Sequence, residues 1–139
     1  METQKLINAI NNPENSNIKT TTLQGIKNQI NDIIQQLPVD GAKIKLWHKY
    51  LKRYKYCDEL DDIKLGCFIK WIPLNKEEFK LKNIAACVMG IKEENNKIYI
   101  TCRIGKRFFN IIYTENLIFQ KFTQQEDIIL SVIDYYLHK

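Results

Sequence analysis

The side chains that could carry out acid–base chemistry are few in this chain of 139 residues. His48 lies within a lysine-rich stretch and His138 lies next to the C-terminal residue, so neither has an obvious catalytic partner. General acid–base catalysis requires titratable groups that converge in a pocket, and nucleophilic catalysis requires an activated serine, cysteine or lysine. No glycine-rich phosphate-binding loop occurs among the five glycines. The sequence therefore predicts a protein that is not an enzyme and binds no cofactor.

Residues of the types that bind metals also lack a metal-binding pattern. The four cysteines, Cys57, Cys67, Cys87 and Cys102, include no Cys-x-x-Cys pair, which favours reduced thiols in an intracellular protein over a zinc site. The acidic run Asp58–Asp62 would hold a cation only if its loop folded back on itself, and such runs are usually solvated. We therefore expect no metal, and a reducing location such as the cytoplasm or nucleus.

Basic residues outnumber acidic ones, with a formal net charge of +5 and an isoelectric point near 9.0. A helix predicted over Ala42–Tyr56 has apolar residues on one side, at about 100° per residue. Its other side carries Lys45, His48, Lys49, Lys52, Arg53 and Lys55.

This basic face has two interpretations. It is either a solvated surface opposite a buried stripe or a surface for the phosphates of DNA or RNA. In the second case Arg103, Lys106 and Arg107, at the tip of a predicted hairpin, would add to it. The acidic run that follows the helix weakens the nucleic-acid interpretation, because its carboxylates can neutralise the basic residues at the end of the helix.

Another amphipathic helix is predicted before the basic one, over Thr22–Leu37. Pro38 ends it, and Asp40 is placed to cap the second helix, so the short connection predicts a helical hairpin. The apolar residues of the first helix recur at steps of three and four: Leu23, Ile26, Ile30, Ile33, Ile34 and Leu37.

A β-sheet is predicted from Ile63 to Phe122, because segments with alternating apolar residues are separated by turn residues. The five strands are expected at Ile63–Pro73, at three places within Asn83–Tyr113, and at Leu117–Phe122. The opening strand is followed by the charged loop Leu74–Lys82.

Turn chemistry predicts the register of two hairpins. A four-residue loop at Glu93–Asn96 pairs Lys92 with Lys97 and places Cys87 opposite Cys102, with Cβ atoms roughly 4.5–5.5 Å apart.

In the second hairpin, a two-residue loop at Gly105-Lys106 pairs Ile104 with Arg107, and the glycine suits a type II′ turn. Together the registers place one apolar set on one face, namely Ala85, Cys87, Met89, Ile91, Ile98, Ile100, Ile104, Phe109, Ile111 and Tyr113.

The opposite face of this predicted sheet carries Val88, Tyr99, Thr101, Arg103, Phe108, Asn110 and Ile112. It is too apolar to be a plain solvated surface, so we expect a helix or a partner to cover part of it. Tyr99, Phe108 and Ile112 are the candidate partner interface.

The two ends of the chain differ in character. Residues 1–20 are predicted to form a polar arm, in which Met1–Asn12 has the pattern of a short helix and lacks the apolar core of a secretory signal. No run of 18 apolar residues occurs, so no membrane span is expected. A capping box at Thr123–Glu126 begins a helix to Leu137. Its predicted buried stripe is Ile129, Val132, Ile133, Tyr136 and Leu137.

The order of the predicted strands resembles an SH3-like or Tudor-like small barrel. Five short strands, a long first loop, two tight hairpins and a short break before the last strand carry the resemblance, which covers residues 63–122. It implies a five-stranded antiparallel barrel over 63–122. Together with the other predicted elements the fold is α+β: an N-terminal arm over 1–20, a helical hairpin over 21–62, the barrel, and a helix over 123–139 packed on it. A Tudor-like module would hold methyl-lysine in an aromatic cage, but we interpret Trp71, Tyr99 and Phe108 as core or interface residues.

Three segments, LGCFIKWI (65–72), RFFNI (107–111) and ENLIFQK (115–121), resemble uncharacterised small proteins of large double-stranded DNA viruses. This resemblance implies a viral protein, in the virion or in the infected cell, and no particular activity. From the surplus apolar surface, the polar arm and the lack of catalytic motifs we predict a structural or interaction module that docks onto other proteins of a larger assembly, with a viral particle as the expected assembly. The alternative is a DNA- or RNA-binding protein that uses the helix over 42–56.

Overall fold

The structure is a computed structural model, and it describes residues 22–138. Within this range it contains three α-helices and one antiparallel sheet of six strands in the order β1–β6–β2–β3–β4–β5, so the predicted α+β class is confirmed. The predicted N-terminal arm lies outside the described residues. The elements are α1 (Leu23–Ile34), α2 (Gly41–Tyr50), β1 (Tyr54–Tyr56), β2 (Phe68–Pro73), β3 (Ala86–Glu94), β4 (Lys97–Ile104), β5 (Arg107–Ile112), β6 (Asn116–Lys121) and α3 (Gln124–Leu137).

Side chains cap α1 and α2 at their N-termini, and the cap at Asp40 is the predicted one. The Thr22 hydroxyl accepts a hydrogen bond of 2.9 Å from the backbone N–H of Gly25, and the Asp40 carboxylate accepts one of 2.8 Å from Lys43. Helix α1 ends at Ile34, one turn before the predicted end. It buries Ile26, Ile30 and Ile34, which belong to the predicted stripe.

The prediction that α2 continues to Tyr56 is wrong. The helix ends at Tyr50, Arg53 adopts a left-handed backbone with φ of 66°, and the chain continues as β1 beside β6. Trp47, Leu51 and Tyr54 are all buried, because a turn through Arg53 keeps these apolar residues against the same core. The apolar spacing therefore could not distinguish a longer helix from a turn followed by a strand.

The predicted five-stranded closed barrel is also corrected. In the described part of the chain the sheet has six strands and ends at β1 on one side and at β5 on the other, so it is open. The opening strand begins at Phe68 rather than Ile63, because a 3₁₀ turn covers Leu60–Asp62 and Gly66 bends the chain with φ of 83°.

The register of the β4–β5 hairpin is confirmed. Ile104 pairs with Arg107 and Cys102 with Phe109. Gly105 has φ of 59°, as a glycine at the first position of a type II′ turn requires.

The register of the β3–β4 hairpin was predicted wrongly. The turn contains two residues, Asn95 and Asn96, with φ of 52° and 64°, so Glu94 pairs with Lys97. A β-bulge between Val88 and Gly90 shifts the pairing again.

The bulge has opposite consequences on its two sides. Between the bulge and the β3–β4 turn, the observed register differs from the predicted one by two residues. A shift of two residues keeps each side chain on the same face, so Ile91 lies on the face of its partner Ile100. On the N-terminal side of the bulge, the observed register differs from the predicted one by one residue, which exchanges the two faces. Val88 therefore faces Cys102 in the core, while Cys87 pairs with Arg103. Cys87 and Cys102 therefore lie on opposite faces, and their predicted pairing is wrong.

Apolar side chains pack on both faces of the sheet. The helix-side core joins α1, α2 and α3 to one face, with Trp47, Ile72 and Phe119 at its centre. The second core lies on the other face and is covered by the segment from Cys57 to Ile63. Its fully buried residues include Ile69, Ala86, Val88, Ile100 and Cys102.

Helix α3 begins with the predicted capping box. The backbone N–H of Glu126 donates to the Thr123 hydroxyl at 3.1 Å, and the backbone N–H of Thr123 donates to the Glu126 carboxylate at 2.9 Å. The helix buries Ile129 and Leu130, whereas Tyr136 and Leu137 are more than 60% exposed. The predicted stripe is thus wrong in its last turn.

Candidate binding groove

A groove of about 650 Å³ lies between β2, the loop of residues 74–84 and the β4–β5 hairpin. Six residues form its apolar floor: Trp71, Pro73, Ile84, Ile104, Phe109 and Ile111. Five charged residues line it as well, and we call them the rim: Lys76, Glu78, Lys80, Lys82 and Arg107.

Strand alternation positions the aromatic part of the floor. Trp71 on β2 and Phe109 on β5 both lie at the edge of the second core, and their ring centroids are 5.6 Å apart at an interplanar angle of 42°. Arg107 lies directly opposite Ile104 across the tight turn, so both line the groove. The floor is thus fixed by paired strands.

The loop of residues 74–84 is held at several points. The Lys43 ammonium donates to the carbonyl oxygen of Phe79 at 3.0 Å. The backbone N–H of Leu74 donates to the carbonyl oxygen of Glu115 at 2.9 Å. Phe79 and Leu81 pack against the helix-side core. The charged residues that alternate with them line the groove.

Lys70 anchors the end of the same loop. Its ammonium donates to the carbonyl oxygen of Tyr50 and to the side-chain oxygen of Asn83, both at 2.7 Å, and lies 4.6 Å from the centre of the Tyr54 ring. Burial lowers the pKa of Lys70, and the charge of Lys121 adds to this effect. A nearly buried lysine therefore connects α2, β2 and the loop.

The rim carries a positive charge that the described part of the protein leaves largely unpaired. Glu78 forms ion pairs with Lys43 at 3.3 Å and with Lys80 at 3.7 Å. The hydrogen bond from Lys43, together with the charge of Lys80, lowers the pKa of the Glu78 carboxyl. Lys76, Lys82 and Arg107 have no carboxylate of the described residues within 4.0 Å.

The basic rim of the groove suits an acidic group, and its apolar floor suits an apolar side chain. A methylated lysine would bring a cation to a rim that is already basic. Moreover, Trp71 contacts Phe109 and lies on the other face of the sheet from Tyr99 and Phe108, so the three residues considered for an aromatic cage do not come together.

The predicted basic surface of residues 42–56 is divided between different environments. Lys45, Lys49 and Lys52 are exposed. Arg53 pairs with Asp127 at 3.0 Å, and Lys55, only 15% exposed, pairs with Glu126. Arg53 and Lys55 are thus neutralised by α3, not by the acidic run after them.

His48 and its neighbours line a smaller cleft of about 460 Å³. The Nε2 atom of His48 lies 2.8 Å from the side-chain oxygen of Asn31, an acceptor, so this nitrogen is the donor. Burial lowers the pKa of His48, and the charge of Lys27 adds to this effect. The basic lining of this second cleft is Lys27, His48, Lys49, Lys52 and Arg53.

The residues predicted as a partner interface do share one face. Tyr99 lies opposite Ile112, and Phe108, which is 58% exposed, lies opposite Arg103. By strand alternation this face points away from the groove. Lys106, in the tight turn, is exposed. Of the predicted basic tip, only Arg107 lines the groove.

The described residues provide neither a metal site nor a membrane span. Among residues 22–138, no group of three or more His, Cys, Asp or Glu side chains could hold a metal ion. The same range contains no helix that is long and apolar enough to cross a membrane. In the acidic run, the Asp62 carboxylate accepts a hydrogen bond of 3.0 Å from the backbone N–H of Glu59. None of the four cysteines forms a disulfide.

Sequence reasoning missed the floor and most of the rim. Trp71 and Phe109 are far apart in the chain, and only the tertiary fold brings them together. A signal did exist in the loop, where Phe79 and Leu81 alternate with Glu78, Lys80 and Lys82. That pattern indicates one packed side and one charged side.

Comparison with protein-family models, with curated proteins and with solved structures finds no match to this chain.

Proposed function

We propose that this protein is a non-enzymatic interaction module that docks onto other proteins of a larger assembly through the groove. The observation that carries the proposal is an apolar floor beneath a rim with three cations that have no carboxylate partner among the described residues. A rim of this kind attracts an acidic partner, and the floor supplies apolar area for burial on binding.

The energetic part of the proposal rests on the floor. Ile84 is 52% exposed beside the half-buried rings of Trp71 and Phe109. Burial of apolar surface stabilises a complex by roughly 25 cal/mol per Å² before the costs of association. The groove also falls within the roughly 300–1,000 Å³ that is typical of ligand sites.

Finer features of the proposal rest on the sequence. We infer that β2–β6 act as an SH3-like module, that α1 and α2 support it as a helical hairpin, and that the assembly is a viral particle. The exposed face with Tyr99, Phe108 and Ile112 provides a further surface for contacts in such an assembly.

The test compares two equivalent changes at exposed apolar residues. Ile84→Lys adds a charge to the groove, whereas Leu65→Lys adds the same charge at a residue that is 66% exposed and does not line the groove. We expect Ile84→Lys to reduce co-purification with partners from the native source at least roughly tenfold, the loss that about 1.4 kcal/mol of binding free energy produces. Leu65→Lys is the matched control. Equal recovery of partners with both variants would refute the groove as the docking surface.

Nucleic-acid binding is the second candidate function, and the second cleft is the observation that favours it. Lys27, Lys49 and Lys52 surround this cleft, and none has a carboxylate of the described residues within 4.0 Å. Such a cluster suits phosphate groups.

A further inference from the structure

We propose that the groove takes an extended acidic segment of a partner protein, which pairs with the edge of β5 and places an apolar side chain over Trp71 and Phe109. This inference rests on the proposed function and specifies the chemistry of the partner. Four observations support it: an open strand edge, the direction of the side chains on β5, the charge of the rim and the shape of the aromatic pair.

The edge of β5 is available for pairing. Among residues 22–138 the sheet ends at this strand, and β5 pairs only with β4. Within the described residues, no main-chain donor or acceptor outside β4 bonds to the β5 backbone, and only its last carbonyl oxygen, that of Ile112, accepts a side-chain hydrogen bond, from the Asn116 amide at 2.8 Å. An apolar edge such as Phe108–Ile112 is an aggregation hazard unless another chain covers it, and it carries no proline, bulge or lysine that would protect it.

The side chains of β5 connect this edge to the groove. Arg107, Phe109 and Ile111 line the groove, while Phe108 and Asn110 lie on the other face. A strand added beside β5 would direct every second side chain to the groove side, at intervals of roughly 6.6 Å. Main-chain hydrogen bonds would then supply affinity, and the groove would select the alternate side chains.

The rim indicates which residues flank the apolar anchor. Lys76, Lys82 and Arg107 are unpaired within the described part of the protein, and the pairing of Glu78 with Lys43 and Lys80 leaves the rim basic. Side chains next to the anchor point to the other face of the added strand, where the basic rim still attracts aspartate or glutamate and repels lysine through the charge of the site as a whole. The partner segment is therefore acidic and alternates with apolar residues.

The aromatic pair favours a peptide over single-stranded nucleic acid. Stacking platforms for nucleic acids present open aromatic faces to successive bases. Here the two rings contact each other at a tilt, and the rest of the floor consists of isoleucine and proline side chains. A branched or aromatic side chain of a peptide fits this floor better than a flat base.

The experiment uses the full chain and two synthetic heptapeptides, EVELEVE and KVKLKVK, with blocked ends. We expect EVELEVE to bind at least tenfold more tightly than KVKLKVK. Lys76→Glu combined with Lys82→Glu should weaken binding of EVELEVE at least tenfold. The matched pair, Lys45→Glu with Lys52→Glu, changes two exposed lysines outside the groove and should leave binding within twofold. Equal binding of both peptides, or equal effects of the two double variants, would overturn the proposal.

Strand pairing is tested with N-methylated forms of EVELEVE. Methylation of every second amide removes donors from one edge of the peptide, so one of the two methylated registers should lose binding and the other should keep it. Retained binding in both registers would refute the pairing with β5. Tighter binding of a ten-residue oligothymidylate, or a dimer of the protein that Ile84→Lys abolishes, would assign the groove to another occupant and overturn the proposal.

The two proposals can fail separately. Should no acidic peptide bind while Ile84→Lys still prevents co-purification, the acidic-strand inference fails and the docking function stands. Should EVELEVE bind as expected while Ile84→Lys leaves co-purification intact, the docking function fails.

Discussion

Lys55 shows how a basic residue can be structural rather than a contact for an anion. Its ammonium pairs with Glu126, whose carboxylate is 3% exposed and also caps α3. Removal of one partner from a buried ion pair leaves an uncompensated charge, which typically costs about 3–5 kcal/mol. We therefore expect Lys55→Ala to lower the free energy of unfolding by about that amount in urea denaturation.

Lys52 supplies the control for this prediction, because its side chain is exposed and forms no ion pair with a described residue. Lys52→Ala should change stability by no more than about 0.5 kcal/mol. If both variants were equally stable, the assignment of Lys55 to the fold would be wrong.

The cysteines provide a second prediction at the scale of single residues. Cys102 is completely buried and Cys87 is half-buried on the other face of the sheet. Burial raises the pKa of Cys102 to about 11 and that of Cys57 to about 12, so both thiols stay protonated at pH 8. Since the thiolate is the reactive form, iodoacetamide should label Cys87 roughly tenfold or more faster than Cys102.

Peptide mapping of the native protein by mass spectrometry measures these rates, and labelling in urea is the control. Similar rates for Cys87 and Cys102 in the folded protein would indicate that they share a face, as the register with a four-residue loop requires.

Among the elements, the β3–β4 turn decides the register of half the sheet. Asn95 and Asn96 both have positive φ, which asparagine tolerates better than other non-glycine residues. A β-branched residue there would add strain of about 1–2 kcal/mol. We expect Asn96→Val to destabilise the protein by that amount in thermal or urea unfolding, whereas Asn96→Gly should keep its stability. An unaffected Asn96→Val variant would contradict the two-residue turn.

A comparison of the two hairpin turns explains where prediction from the sequence succeeded and where it failed. Gly105 marks its turn clearly, so the β4–β5 register was predictable. Glu93–Asn96 admits a loop of either two or four residues, and both leave Ile91 on the core face. Only the bulge at Met89 changes the face of Cys87, and no local pattern indicates a bulge there.

Longer-range features were less accessible to sequence reasoning. At the end of α2, the carbonyl oxygen of Tyr50 accepts a hydrogen bond from the ammonium of Lys70, which lies on β2. The groove depends on the approach of Trp71 to Phe109 across strands that are not neighbours in the sheet. These contacts join distant parts of the chain, so periodicity alone could not predict them.

Helix α3 gives another prediction for an element. Leu130 is completely buried in the helix-side core, whereas Leu137, another leucine of the same helix, is 62% exposed. Truncation of a buried leucine to alanine costs about 2–5 kcal/mol, because it removes apolar contacts and leaves a cavity. Leu130→Ala should show that loss in urea denaturation, and Leu137→Ala should stay within about 0.5 kcal/mol of the wild type. Comparable losses would mean that the last turn is packed.

At the scale of the whole molecule, the net charge of +5 is distributed over several separate sites. Arg53 and Lys55 are paired with α3, and Lys43 is paired with Glu78. Cations with no carboxylate partner in residues 22–138 remain at the groove and at the second cleft. The cations at the groove lie over an apolar floor suited to a protein partner. Those at the second cleft are the ones that a nucleic acid would use.

A triple change at the exposed lysines separates the two functions. Lys45→Glu, Lys49→Glu and Lys52→Glu reverse three charges on exposed side chains, so the fold should remain intact. For an assembly module we expect this variant to co-purify with its partners as the wild type does. Binding of the wild type to duplex DNA should then be no tighter than non-specific binding, with a Kd of about 10⁻⁴–10⁻⁶ M at physiological salt.

The salt dependence of DNA binding makes the alternative equally specific. Each phosphate that a protein neutralises on duplex DNA contributes a slope of about −0.9 in log K against log salt. If the second cleft binds nucleic acid, the triple variant should lose this slope together with the affinity, while Ile84→Lys should keep both. Filter binding over a series of salt concentrations, with Ile84→Lys as the folded control, measures the difference. Tight binding that depends on Lys49 and Lys52 would assign the function to the second cleft, because the groove contains neither residue.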